Sequence, residues 1–259
     1  MGLDGAGVAT LLSRCITAVW LYFWLTNAPR IKVWAPVRLS AWWGAWDGSE
    51  FKKLLTLGVP IGLQLVSEIT AFSIGAVMIG FFGVVPLAAH QVAIICTYTA
   101  AMVPVGIAMA LVVRMGEASG NVIVGQKRMI LLGGLGFSVL FTSIAMVAFI
   151  FFGQWIASSI VDDRDVVELA VKLLFIVGAF QIVDGIQIVS CSALRGMGDV
   201  TIPAWLGALC YLGIAVPLSA LLAFAFGMGA EGVWWGLAWG LVIASVLLGA
   251  RSWIIAGRV

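Results

Sequence analysis

Charge is what this sequence has least of. Only 10% of its 259 residues are charged, against roughly 25% in a soluble domain. Hydrophobic residues make up 63%, and the mean hydropathy is +1.13. A soluble fold is about 45–50% apolar, so a water-surrounded core does not account for the excess. Basic stretches are missing as well, which removes the usual footprint of a nucleic-acid partner. There are four cysteines and one histidine. Cys15, Cys96, Cys191 and Cys210 stand in or at the ends of apolar segments. Their spacing matches neither a zinc site nor a disulfide framework, so they read as small apolar fillers. The loops hold no nucleophile–base pair and no metal motif, which argues against an enzyme. The opening MGLDGAGVAT has no basic region of the kind that starts a signal peptide, so the spanning helices themselves are expected to drive insertion.

What the sequence has is long apolar runs. Seven of them, at about 8–28, 54–82, 86–113, 129–154, 167–193, 203–226 and 229–256, reach or exceed the ~20 residues a helix needs to cross a bilayer. They are continuous rather than alternating, which excludes a membrane barrel. The fold class expected is an all-α polytopic membrane protein.

Lys and Arg placement orients it. Arg30, Lys32, Arg38, Lys52, Lys53, Arg114, Lys127, Arg128, Arg195, Arg251 and Arg258 lie in alternate loops or at the C-terminal end, eleven of the fourteen basic residues. The expected topology puts those loops and the C-terminus in the cytoplasm and the acidic loop VDDRDVVE, residues 161–168, outside. Residues 1–28 then read as the last helix of an N-terminal lobe, and 54–259 as a six-helix lobe. Between them, residues 29–53 mix Trp34, Trp42, Trp43 and Trp46 with basic residues. Aromatic rings at headgroup depth with cations nearby describe an interfacial cytoplasmic linker.

Two acids break the apolar runs. Glu68 is the only charge between Leu54 and Phe82, and Asp184 lies deep in the fifth run. An acid at a helix centre costs about 2.5–3.5 kcal/mol on translocon scales, and such residues mark ion or substrate paths. Their helices cross in opposite directions, so the two can share a depth. Gln64 lies one turn from Glu68. Gln181 and Gln187 flank Asp184 at steps of three, drifting around one side. Lipid cannot satisfy such faces, so they should point into the bundle or a wet cavity. No Lys or Arg stands at that depth along the chain, so the expected counter-charge is a proton or a bound cation. Desolvation favours the protonated form of a carboxyl, and carboxylate with amide oxygens is the hard donor set an alkali cation prefers. The competing explanation is a permanently protonated pair that hydrogen-bonds between helices.

Other features weigh less. His90 reads as an interfacial capping or packing group. Tyr98 could line a cavity or fill one. Pro104 and Pro217 interrupt the third and sixth runs and should kink them. Gly232, Gly236 and Gly240 form a strip for close helix packing.

Three stretches carry a resemblance: LGVPIGLQLVSEITAF (57–72), PLAAHQVAIICTYTAAMVPVGIAMALVVRMGEASG (86–120), and ALRGMGDVTIPAW (193–205) followed by GMGAEGVWWG (227–236). Together they resemble the C-terminal half of multidrug and toxic compound extrusion (MATE) transporters, most of all the bacterial NorM-like branch. The resemblance implies two six-helix lobes around a central cavity. It implies a secondary antiporter of the bacterial inner membrane that exchanges Na⁺ or H⁺ for organic, often cationic, compounds, with no resident cofactor. It assigns cation binding to Glu68 and Asp184, with Na⁺ as one candidate ion. The family's first five helices have no counterpart here, so a partner N-terminal lobe, in cis or as a separate chain, is expected. The rival functions are a flippase for lipids or lipid-linked sugars in the same superfamily, and a non-transporting membrane protein.

Overall fold

The computed structural model describes residues 2–27, 48–120 and 125–257, and among these every regular element is helical. In chain order α1 is Gly2–Asn27, α2 Gly48–Gly80, α3 Val84–Gly120, α4 Gln126–Ile160, α5 Arg164–Gly196, α6 Thr201–Ala225 and α7 Gly229–Ala256. Each contains a stretch long and apolar enough to cross a membrane. The fold is all-α and multi-pass, with one such helix in each of the seven apolar runs.

The helices outlast the runs that announce them. α3 continues to Gly120, and α4 extends to Ile160. Hydropathy stops where charge begins, whereas backbone hydrogen bonding continues into the interface. Residues 48–53, expected in the linker, are the first turns of α2, where Glu50 suits the positive end of the helix dipole. The rest of the linker expectation, residues 29–47, lies outside the described residues. The chain divides into two units, residues 1–52 and 53–259. The first contains α1; the second is a helical bundle.

α5 is the axis of that bundle and packs against α3, α4 and α7. Its glycines permit this. A Cβ on Gly185 would meet Ser138 Oγ and Thr142 Cγ2 of α4 at 2.7 Å, and one on Gly196 would meet the Val112 carbonyl of α3 at 2.6 Å. Bare backbone at these points lets helices touch without a hydrophobic drive between them. On the outer loop the Asp163 side chain accepts from the Asp165 and Val166 amides at 3.0 and 3.2 Å and starts α5.

The Gly232–Gly236–Gly240 strip packs on α6, as expected. Added Cβ atoms there would run into Leu222, Ser219 and Ala215. α6 is not a plain α-helix. Two π-turn segments, Leu209–Ala215 and Leu221–Ala225, flank Val216–Ala220. Pro217 within that segment has no N–H to give, and the widened turns carry i→i+5 bonds such as Val216 N–H to the Tyr211 carbonyl. Pro104, by contrast, does not break α3, which runs through it unbroken.

α2 joins the bundle largely through side chains. Phe72 meets Trp234 of α7 edge-on at 6.2 Å between ring centroids. Trp234 also stacks on Phe180 at 6.2 Å and lies 5.5 Å from the ring of His90. His90 is therefore a buried packing group. Outside this core the bundle presents large apolar side chains, among them Val66, Met109, Phe151 and Trp239. So broad an apolar surface suits hydrocarbon and no aqueous setting. Several hydroxyls within the spans turn back onto their own helix, as when Thr97 donates to the Ala93 carbonyl at 2.8 Å.

Candidate functional site

α2 and α5 bring the two deep acids together. Asp184 is buried, with 7% of its surface exposed, and Glu68 of α2 is half-buried. They lie within electrostatic range of one another. Neither carboxylate has a hydrogen-bonding partner among the described residues. Two acids within range of one another, with no hydrogen-bond donor to either among the described residues, form an acidic site that a cation or proton would neutralise.

The amides divide. Gln64 is buried and fully engaged. Its Nε2 donates to Cys191 Sγ at 2.9 Å, and its Oε1 accepts from the thiol at 3.1 Å and from Arg195 Nη2 at 3.1 Å. Cys191 is thus a hydrogen-bonded group between helices, not the filler its sequence context suggests. Gln181 and Gln187 are buried, yet both amide atoms of Gln181 and Oε1 of Gln187 have no partner. In register, Gln181 falls between Gly178 and Gly185, the two positions where α5 closes on α4. Tyr98 of α3 is 46% exposed and within electrostatic range of Glu68, so it edges the site rather than filling the core.

Two residues escaped sequence reading. Tyr211, on the first π-turn segment of α6, is 1% exposed and its hydroxyl makes no well-formed hydrogen bond among the described residues. It faces Gln187 and lies within range of both carboxylates. A tyrosine in an apolar run reads as filler, and only the fold reveals the orphaned hydroxyl. Arg195 corrects the expectation that no cation reaches this depth. Its Cα belongs to the last turn of α5, but its guanidinium extends to Gln64 and into range of Glu68. Long basic side chains carry charge away from their own backbone.

No group of three or more His, Cys, Asp or Glu side chains stands together among the described residues. The donor set is two carboxylates, amide oxygens and a phenol. That set fits a proton or a hard monovalent cation better than a thiolate- or imidazole-loving metal. The Tyr211 hydroxyl and the Gln187 amide face each other without a well-formed hydrogen bond, and with both amide atoms of Gln181 they are buried polar atoms that such an occupant or a water would serve.

The family model described as MatE matches residues 60–221, a span that takes in α2 through most of α6 and both deep acids. The chain belongs to the MatE family. Proteins named "Probable multidrug resistance protein NorM" are among the MatE chain's relatives. The one from Brucella suis is 37% identical over 97% of this chain and 54% of its own length. The one from Xylella fastidiosa is 33% identical over 99% and 54%. The MatE chain spans about half the length of these curated relatives and matches roughly their C-terminal half. A solved MOP-superfamily transporter from Pyrococcus furiosus has the same fold, with a TM-score of 0.86 at 18% identity over 99% of this chain and 57% of that one. That transporter is described as having a binding pocket of reverse polarity that suggests a different function. The relatives at 33% and 37% identity carry multidrug resistance names rather than enzyme names.

Proposed function

We propose that this chain is the cation-coupling lobe of a secondary multidrug antiporter, which exchanges Na⁺ or H⁺ for organic, often cationic, compounds. The observation that carries the reading is the Glu68–Asp184 pair: two acids on separate helices, within electrostatic range, with no donor to either among the described residues. The relatives' names support drug efflux, and the acidity of the pair favours cationic cargo.

In this reading the cation enters from outside and neutralises the pair. Like-charge repulsion between α2 and α5 falls, and the two helices settle into a second packing. A cationic drug held by the same negative field loses its attraction and leaves outward. The cation drives the change only by its differential affinity for the two states. An N-terminal lobe, in cis or as a separate chain, completes the central cavity. The membrane is the bacterial inner membrane, with the basic loops and C-terminus in the cytoplasm.

One observation favours the flippase reading. Arg195 places a fixed cation near the acids, and such charge suits a phosphate-bearing headgroup. Two carboxylates against one guanidinium still leave the site acidic, which favours cationic cargo. Vesicles loaded with a fluorescent organic cation test both readings. Glu68→Gln and Asp184→Asn are each expected to abolish efflux driven by a Na⁺ or H⁺ gradient while membrane insertion stays normal. Wild-type efflux in either variant sinks the assignment, and cation-independent movement of a phosphate-headgroup lipid probe would favour the flippase.

A further inference from the structure

Arg195 is unusual among the charged residues described here. Its Nε is buried without a partner. Among the described residues no carboxylate lies within ion-pair distance of it. The acid nearest along the chain, Asp199, is already taken by Arg251 at 2.6 Å. The guanidinium instead makes a neutral contact, Nη2 to Gln64 Oε1 at 3.1 Å. Gln64 is one helical turn from Glu68 on the same face of α2.

The anchor is held from three sides. The Cys191 thiol bonds both ends of the Gln64 amide. Gly207 of α6 leaves so little room that a Cβ there would sit 3.0 Å from Gln64 Cγ. At the base of Arg195, Gly196 closes on α3. A positive charge is therefore fixed inside the bundle, near an acid but not paired with it. Were the role only to tie α2 to α5, a neutral amide or hydroxyl would make the same bond without a charge. A half-buried cation with no carboxylate partner still costs desolvation, and the geometry retains it where its field reaches Glu68.

We infer that Arg195 is a positioning residue whose tethered charge weakens cation binding at Glu68 and Asp184, so that the coupling cation can leave. This rests on the antiport reading of that pair. A carboxylate pair with no competing cation holds its ion tightly and releases it slowly. A fixed charge held off by Gln64 lowers affinity without filling the site. At an effective dielectric near 20, a unit charge at this range changes affinity by on the order of tenfold.

The test uses the purified chain in detergent micelles, with Na⁺ titrated by calorimetry and protonation followed through the infrared carboxyl band. Arg195→Gln keeps a hydrogen-bond donor and loses the charge, Arg195→Met keeps the stem's packing, and Arg195→Lys keeps the charge. The expected result is cation affinity raised about tenfold in the two neutral variants and unchanged in Arg195→Lys. A purely structural role would lower thermal stability in all three and leave affinity alone. Unchanged or weaker binding in both neutral variants overturns the inference. If wild type and Glu68→Gln bind the same ions equally, or neither binds, the antiport reading itself fails, and the inference with it.

Discussion

A hydroxyl without a partner in a dry core is a cost that a fold keeps for a reason. Tyr211 carries one, within range of Glu68 and Asp184. If the phenol exists to meet the coupling cation, Tyr211→Phe separates function from stability. Cation affinity should fall several-fold, while stability to denaturant stays level or rises by on the order of 1 kcal/mol, since an unsatisfied polar atom is removed. Loss of stability with unchanged affinity would make the hydroxyl structural. The two acids and the tyrosine also mark what a sequence can reveal. An acid in an apolar run is conspicuous in one dimension, because hydrocarbon penalises it wherever the helix sits. Tyr211 and Arg195 are conspicuous only in three. The first needs its neighbours to show that its hydroxyl is stranded, and the second acts far from its own position in the chain.

At the scale of helices, hydropathy located every span, because crossing a bilayer demands a fixed apolar length. It did not give the ends, which extend into the interface, or the packing, which small residues decide. The strip on α7 was readable because Gly232, Gly236 and Gly240 keep a period of four. The glycines of α5 were not, because Gly178, Gly185 and Gly196 face different neighbours at irregular spacing. Two substitutions in one helix isolate the packing term. A Cβ on Gly236 would run into the Ser219 backbone, whereas one on Gly249 would meet only Ser190 Oγ at 3.8 Å, an ordinary contact. Gly236→Ala is expected to destabilise the bundle by roughly 1–3 kcal/mol through overpacking. Gly249→Ala should be neutral or slightly stabilising, because alanine is the better helix former. Thermal unfolding in detergent compares them. Equal behaviour would mean that α6 and α7 do not pack along that strip.

For the whole molecule, the quantity that matters is which end of the bundle faces the cytoplasm. Arg195 lies at the end of α5 that carries the basic loops, and Asp163 caps the opposite end. If basic residues mark the cytoplasm, the tethered guanidinium stands between the carboxylate pair and the cytoplasm. The cation then meets the acids first on entering from outside and meets Arg195's field only on its way in. That order suits release into the cytoplasm; the inverse order would make Arg195 a barrier to entry. Cysteine labelling decides between them. In a Cys15→Ser background the remaining native cysteines are buried, and Asp162 and Glu117 are exposed at opposite ends. An impermeant maleimide applied to intact cells with a permeabilised outer membrane should label Asp162→Cys at once. It should reach Glu117→Cys only after the inner membrane is broken. The reverse pattern would invert the bundle and, with it, the direction in which Arg195 could favour cation release.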